Sequence, residues 1–266
     1  MRLLLLWLLL LTLARPTWAS DVSQGVTLLA DEDLLFPVTH IARDYATTHN
    51  TPVTIVRNPG GDVARAIAQG LEADAILTAD AALLNQLAER GLSDVSSRRT
   101  IAQSPLALVG NRELSDSARL ATRVSFEAIL LASPSQPVIY VAADTPEGRM
   151  GAAAIEQPNL APYLSTRAQA LDTREEALDR LRDTNGLALM LAAPASRETD
   201  TQILALLPPE ISPPLRYDFA LLAGAGETAK QLQNTFTSPQ TLRILAHYGF
   251  QSGTASSSPC RGDCKE

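Results

Sequence analysis

A short apolar segment near the start of the chain runs directly into an amphipathic one, with three acidic residues between them. Residues 26–30 have the composition of a buried β-strand, and apolar residues recur at helical spacing over residues 34–47. Asp31, Glu32 and Asp33 fill the turn. In α/β sheets, ligands bind beside the carboxyl ends of strands, where helix N-termini present free N–H groups. The turn therefore predicts one wall of a ligand site, with an unusual negative charge.

The same alternation of strand and helix continues along the chain. Residues 52–56, 74–78 and 104–109 are predicted strands, and the alternation restarts after a polar connection. The chain then returns, after a proline cluster, to a strand at 217–222 and two helices. Short units of this kind predict an α/β fold with two lobes and a cleft between them, each lobe a doubly wound, mostly parallel sheet flanked by helices.

The order of these units also predicts the domain boundaries. Residues 20–106 together with 215–250 form the predicted lobe 1, and residues 107–214 form the predicted lobe 2. Residues 251–266 are rich in serine and glycine, which predicts a flexible tail. The hinges are expected where the chain crosses between lobes, near residues 104–108 and 213–217.

The first 19 residues have the pattern of a secretory signal peptide. Arg2 precedes an apolar run at residues 3–13, and small residues lead to a predicted cleavage between Ala19 and Ser20. The alternative is an uncleaved anchor, although the run is short for a bilayer span. Export by a cleavable signal predicts a periplasmic protein.

The balance of charge argues against nucleic acid as a partner. The whole chain has 22 basic and 29 acidic residues, and removal of Arg2 and Arg15 with the signal leaves a net charge near −9. No basic stripe is present in the sequence.

Both cysteines, Cys260 and Cys264, lie in the last seven residues. In an oxidising compartment they could form a disulfide that closes a small local loop, which would add little to the stability of the fold. An intermolecular disulfide or a metal site is the alternative.

The sequence contains none of the patterns that mark common catalytic sites. It has no nucleophile elbow, no zinc-ligand spacing and no phosphate-binding glycine loop. His40, His49 and His247 are scattered over predicted helices or their ends. We therefore expect neither an enzyme nor a cofactor.

Several segments, taken in order, resemble one family of binding proteins. They are GGDVARAI at 60–67, ADAILTAD at 73–80, YDFALL at 217–222 and SPQTLRILAHYGF at 238–250. With the turn after residue 30, they are similar to the molybdate-binding proteins of bacterial ABC importers, which belong to the two-lobed periplasmic solute-binding proteins. The resemblance implies that fold, hinge closure around a small solute, a monomeric state and ABC permease subunits as partners.

The resemblance also implies a set of ligand-binding positions. The family holds a tetrahedral oxyanion with hydroxyl groups and backbone N–H groups at helix starts, and its first-turn serine corresponds to Asp33. The ligand-binding residues that the resemblance implies are Asp33, Gly60, Glu147, Thr173 and Leu191. The chain itself adds Gly61, whose backbone N–H could approach a ligand, and Asp62 and Asp144, which fall at predicted turn-to-helix starts facing the cleft. None of the family's donor side chains is retained, although Thr173 brings a hydroxyl.

These replacements leave several hypotheses open. A carboxylate within ~4 Å of a dianion costs on the order of several kcal/mol, so the cleft is expected to take a different ligand, such as a hard cation or an amine. For Asp33 alone, the simpler interpretation is a cap on its own helix. Alternatively, the cleft keeps an oxyanion that is recruited by an arginine; the candidates are Arg57, Arg65, Arg149 and Arg174. A third possibility is an accessory or scaffold protein that kept the fold but lost ligand transport.

Overall fold

The computed structural model describes residues 25–58, 60–111, 125–142, 145–184 and 186–253. The predicted signal peptide, Asp144, and the cysteines Cys260 and Cys264 lie outside the described residues. Within them, no helix is both long and apolar enough to cross a membrane.

The first part of lobe 1 alternates strands and helices as predicted. Its elements are β1 (Val26–Ala30), α1 (Leu35–His49), β2 (Val53–Arg57), α2 (Val63–Ala68), β3 (Ala75–Thr78), α3 (Ala81–Glu89) and β4 (Arg99–Ser104). A 3₁₀ turn at Glu32–Leu34 leads into α1, which ends at Asn50 in the left-handed region. Asp80 caps α3, since its carboxylate accepts hydrogen bonds from the N–H groups of Ala82 and Leu83.

Lobe 2 follows with the same alternation. Its elements are β5 (Leu106–Asn111), α4 (Phe126–Ala132), β6 (Val138–Val141), α5 (Pro146–Ile155), α6 (Ala161–Leu164), β7 (Ala168–Leu171), α7 (Arg174–Asp183), β8 (Leu187–Leu191), α8 (Ala192–Ala195) and β9 (Thr201–Leu206). Thr145 and Thr173 cap α5 and α7 with their hydroxyl oxygens.

The chain then returns to lobe 1 through β10 (Leu215–Leu221), α9 (Glu227–Phe236), α10 (Pro239–His247) and β11 (Gln251–Ser252). The short strand β11 pairs with β4. The lobe 1 sheet therefore extends two residues into the segment predicted as a tail, because Gln251 pairs with Gln103 and Ser252 with Ala102.

Each lobe has its own sheet, which confirms the predicted two-lobed α/β fold, but both sheets are mixed and not mostly parallel as predicted. The strand order is β11-β4-β10-β3-β1-β2 in lobe 1 and β7-β6-β8-β5-β9 in lobe 2. The pairs within β1–β3 and within β6–β8 are parallel, whereas β5 and β10, which carry the chain between the lobes, are antiparallel to their neighbours.

The predicted single strand at 104–109 is divided in the structure. Ser104 ends β4 in one sheet, Leu106 begins β5 in the other, and Pro105 lies between them. Proline has no N–H to donate to a strand partner, so it marks the place where the chain leaves one sheet for the next.

The short helix α8 packs against both lobes. Ala193 belongs to the apolar core of lobe 1, while its neighbours Ala192 and Ala195 belong to that of lobe 2. The Ala193 N–H also donates to Oγ of Ser104, at 3.0 Å. Gly249 of lobe 1 lies against α8 so closely that a Cβ atom there would be 2.5 Å from Oγ of Ser196. The start of α8 is thereby fixed beside the cleft.

Candidate functional site

A cavity of about 320 Å³ lies between the two lobes, at the carboxyl ends of their parallel strands. Lobe 1 contributes the turn at 31–33 and Ala79, which follow β1 and β3. Lobe 2 contributes residues 145–147 and 172–174, at the starts of α5 and α7. This is the place where α/β sheets bind ligands. A second depression, lined by α1 and Tyr248, lies outside the cleft.

Arg174 and Glu147, both of lobe 2, form a two-pronged ion pair inside this cavity. Nε of Arg174 donates to Oε2 of Glu147 at 3.0 Å, and Nη2 donates to the same oxygen. The other oxygen of Glu147 accepts the N–H of Leu191 at 2.9 Å, just before α8 begins. The carboxylate of Glu147 is buried, and both of its oxygens have hydrogen-bond partners within lobe 2, as buried polar groups require.

Asp33 joins this pair from lobe 1. Its Oδ1 lies 2.5 Å from Nη1 of Arg174, and its Oδ2 accepts the hydroxyl of Tyr217 at 2.9 Å. The backbone oxygen of Asp33 accepts a further hydrogen bond from Arg197 of lobe 2, at 3.2 Å. We call the set of Asp33, Arg174 and Glu147 the cross-cleft bridge.

The predicted alternative in which Asp33 caps its own helix is wrong. Asp33 lies inside the 3₁₀ turn, and its carboxylate points to Arg174 and Tyr217. The capping position before that turn is held by Asp31, whose side chain makes no capping hydrogen bond. The cleft offers the carboxylate of Asp33 a half-buried cation on the facing lobe, which is a stronger partner than solvated helix N–H groups.

Burial and charge act in opposite directions on Arg174. Burial disfavours its charged form, but the charges of Glu147 and Asp33 outweigh that effect and raise its pKa above the ordinary value. Tyr217 is affected differently: burial and the neighbouring Asp33 carboxylate both raise its pKa well above that of a free tyrosine. The cleft therefore holds a guanidinium cation and a neutral phenol around two carboxyl groups.

Asp31 turns away from Arg174 and ties the strand ends together. Its carboxylate accepts hydrogen bonds from the N–H of Ala79 at 2.7 Å, from Oγ1 of Thr78 at 2.9 Å and from Nδ2 of Asn58 at 2.8 Å. Burial raises the pKa of Asp31, and these hydrogen bonds partly offset the shift. Asp31 thus fixes the carboxyl ends of β1, β2 and β3 relative to one another.

Only some of the implied ligand-binding residues meet at the cavity. Asp33, Glu147 and Thr173 line it, and Leu191 reaches it through its backbone N–H bond to Glu147. The hydroxyl oxygen of Thr173 is used to cap α7, where it accepts the N–H of Glu176.

The turn that contains Gly60 and Gly61 does not line the cavity. Gly60 and Gly61 are exposed with φ of +70° and +66°. Asp62 caps α2 by accepting the N–H of Arg65 at 2.9 Å, so its carboxylate is used by its own helix. Arg57 pairs instead with exposed Glu32.

Further contacts between the lobes involve residues that sequence reasoning missed or assigned to other roles. The guanidinium of Arg197 lies over the ring of Phe36, 5.4 Å from its centroid, and Arg149 of lobe 2 lies 3.9 Å from Asp80 of lobe 1. Tyr217 carried one available signal, a hydroxyl in a strand whose other buried side chains are apolar except for Asp218. Among the described residues, no group of three His, Cys, Asp or Glu side chains forms a metal cluster.

Comparison with known proteins gives the fold a family. The profile of bacterial extracellular solute-binding proteins matches residues 26–251. Among curated protein sequences, none matches the chain.

Solved structures agree on the fold. A substrate-binding domain assigned to a molybdenum ABC transporter of Clostridium difficile aligns with a TM-score of 0.75 and 14% identity, over 86% of this chain and 99% of that one. The periplasmic molybdate-binding protein of Azotobacter vinelandii aligns at 0.64 and 17%, over 85% and 98%. Iron-bound HitA from Pseudomonas aeruginosa aligns at 0.61 and 14%, over 87% and 88%.

Proposed function

Because the chain belongs to the family of bacterial extracellular solute-binding proteins, we propose that it captures a small solute in the periplasm for an ABC importer, and that this solute is not a tetrahedral oxyanion. In this proposal, the mature protein begins at Ser20, works as a monomer and delivers its solute to permease subunits. Its cleft takes a solute that carries positive charge, such as an organic amine.

One observation carries the proposal: an internal carboxylate already uses the donor that an oxyanion would need. The N–H of Leu191, at the start of α8, donates to Oε1 of Glu147. A second carboxylate, that of Asp33, lies on the facing wall. Each carboxylate within ~4 Å of a bound dianion would oppose it by on the order of several kcal/mol. The guanidinium of Arg174 offsets one of these two charges, and the remaining one opposes a dianion by an amount comparable with a micromolar affinity, which is roughly 8 kcal/mol.

The same lining favours a cation. Asp31, Glu32 and Asp172 also line the cavity, where Arg174 is the one cationic side chain among the described lining residues. The group now held between Asp33 and Glu147 is a guanidinium, so the cleft already accommodates a delocalised cation. Relatives with this fold are described both as molybdate-binding and as iron-bound, so the fold alone leaves the sign of the ligand's charge open.

Native mass spectrometry and thermal-shift assays on the protein from Ser20 test this function. The panel contains molybdate, tungstate and sulfate on one side, and diamines, guanidino compounds, Ca²⁺ and Fe³⁺ on the other. We expect a stabilising complex with a cationic solute, which is lost in Asp33→Asn. The control Asp179→Asn changes an exposed carboxylate on the outer part of α7 and should bind as wild type does. Stabilisation by oxyanions alone would refute the proposal.

A second candidate is an accessory protein with a disused cleft. It is favoured by the cross-cleft bridge itself, since the protein's own side chains connect the two walls. This candidate predicts that no member of the panel changes the melting temperature. It also predicts that the gene has no permease or ATPase gene beside it.

A further inference from the structure

We propose that Arg174 is a built-in occupant of the cleft: it holds the two lobes closed when no solute is present, and a solute must displace it from Asp33 in order to bind. The displacement step rests on the proposed function, whereas the closure of the empty protein does not.

The bonds of Arg174 are divided unequally between the lobes. Nε and Nη2 bind Glu147 within lobe 2, whereas Nη1 alone binds Asp33 in lobe 1. Opening the cleft therefore breaks one charge-assisted hydrogen bond of Arg174 and leaves its ion pair with Glu147 intact. Arg174 moves with lobe 2 as a preformed unit, and Asp33 is the position at which a solute competes with it.

Both ends of the bridge are anchored to the sheets behind them. On the lobe 1 side, Tyr217 of β10 donates its hydroxyl to Asp33, and Tyr217 is fully buried. On the lobe 2 side, the N–H of Leu191 at the end of β8 fixes Glu147. Because both ends are fixed to sheets, the bridge holds the lobes together more firmly than a pair of mobile surface side chains would.

Charges across the cleft are arranged to favour closure without a ligand. At three places lobe 1 presents an acceptor or carboxylate and lobe 2 an arginine: the carboxylate of Asp33 with Arg174, its backbone oxygen with Arg197, and Asp80 with Arg149. The side chains of Asp33 and Arg174 are 14% and 27% exposed, so salt screens their contact less than it screens a surface pair. The empty cleft therefore already contains the opposite charges that a bound solute would bring together.

Closure by Arg174 has a consequence for affinity. When the binding-competent open state is only a fraction of the population, the apparent dissociation constant of any solute rises by the inverse of that fraction. Solutes that can replace the guanidinium at Asp33 recover the lost affinity, whereas anions cannot. Arg174 would thus act as a selectivity filter as well as a closing contact.

Small-angle X-ray scattering on solute-free protein from Ser20 tests the closing role. We expect wild type to have the radius of gyration of the closed structure and Arg174→Ala to have a larger one. The control Arg180→Ala removes an exposed arginine further along α7 and should match wild type. Guanidinium chloride, well below denaturing concentrations, should return Arg174→Ala to the closed value, while sodium chloride at equal ionic strength should not.

A second variant covers the case in which Arg174→Ala does not fold. Asp33→Asn keeps an oxygen that can accept from Tyr217 but presents no negative charge to Arg174, and it should also open. If wild type is already open, or if both variants stay as compact as wild type, Arg174 does not hold the lobes together. These measurements need no solute, so their failure leaves the cation proposal standing. Conversely, a wild-type protein that binds no cation can still be closed by Arg174.

Discussion

Nη1 of Arg174 lies 2.5 Å from Oδ1 of Asp33, and these two atoms belong to opposite lobes. The contact places a cation of the protein itself at the centre of the cleft, between the starts of α1 and α5. It also explains how this cleft can hold two carboxylates although a protein of the same fold binds molybdate: both carboxylates are counter-ions to Arg174.

Glu147→Gln should destabilise the protein by about 2–3 kcal/mol. The change removes a buried charge that satisfies both Arg174 and the N–H of Leu191, and an amide oxygen can serve only one of them well. Urea unfolding followed by circular dichroism measures the loss. Glu175→Gln, an exposed neighbour of Arg174, should change stability by less than about 0.5 kcal/mol. Equal effects of the two changes would mean that Glu147 has no structural partner of consequence.

Tyr217→Phe should remove a dependence of stability on high pH. The folded-state pKa of Tyr217 is raised above its unfolded value, which is near 10. Its contribution is therefore fully present below about pH 10 and is lost as the pH rises further. The variant should lose about 1–2 kcal/mol at pH 8 and show a shallower decline between pH 9 and 11. Tyr45→Phe, which changes a tyrosine away from the cleft, should keep the decline due to Tyr217.

Asp31→Ala should cost about 2–3 kcal/mol, and Asp31→Asn distinctly less. The alanine variant leaves the N–H of Ala79 and the hydroxyl of Thr78 without their acceptor, whereas asparagine retains one oxygen for them. Burial raises the folded-state pKa of Asp31, so the stability linked to its ionisation is greatest below the unfolded value near 4 and falls as the pH rises through the folded value. Urea unfolding at pH 7 should give this order, and the reverse order would contradict the role of Asp31 as an acceptor.

Removal of both carboxylates should give the cleft an affinity for oxyanions. The double variant Asp33→Ser with Glu147→Ala frees the N–H of Leu191, leaves the guanidinium of Arg174 without its counter-ions, and supplies a hydroxyl on lobe 1. Equilibrium dialysis with tungstate should detect binding to the double variant and weaker binding to each single one. Absence of binding to all three would show that more than these two charges excludes an oxyanion.

The sequence was sufficient for the fold because the fold depends on local patterns. The buried strand at 26–30 and the helix that follows it are set by apolar spacing, and each lies within two residues of its predicted bounds. The strands at 99–103 and 168–171 were not predicted, and the predicted strand at 104–109 is divided. Pro105 was visible, but no local signal tells that the chain changes sheets there.

The site was harder to predict because its partners are far apart in the chain. Asp33 and Glu147 were singled out from the resemblance, but Arg174 is 141 residues from Asp33, and Tyr217 is 184 residues from it. Helical spacing and capping patterns report on neighbours within a few residues, so the partner they offered for Asp33 was its own helix, as the alternative to a ligand. Only the packing of one lobe against the other brings these side chains together.

Isothermal titration of molybdate into the wild-type protein from Ser20 tests whether the two carboxylates exclude an oxyanion. We expect no saturable heat below about 1 mM molybdate, because Glu147 holds the N–H of Leu191 and Asp33 faces it across the cleft. Saturable binding with a micromolar dissociation constant would contradict it, since the two carboxylates would then have to leave the cleft or lose their charge.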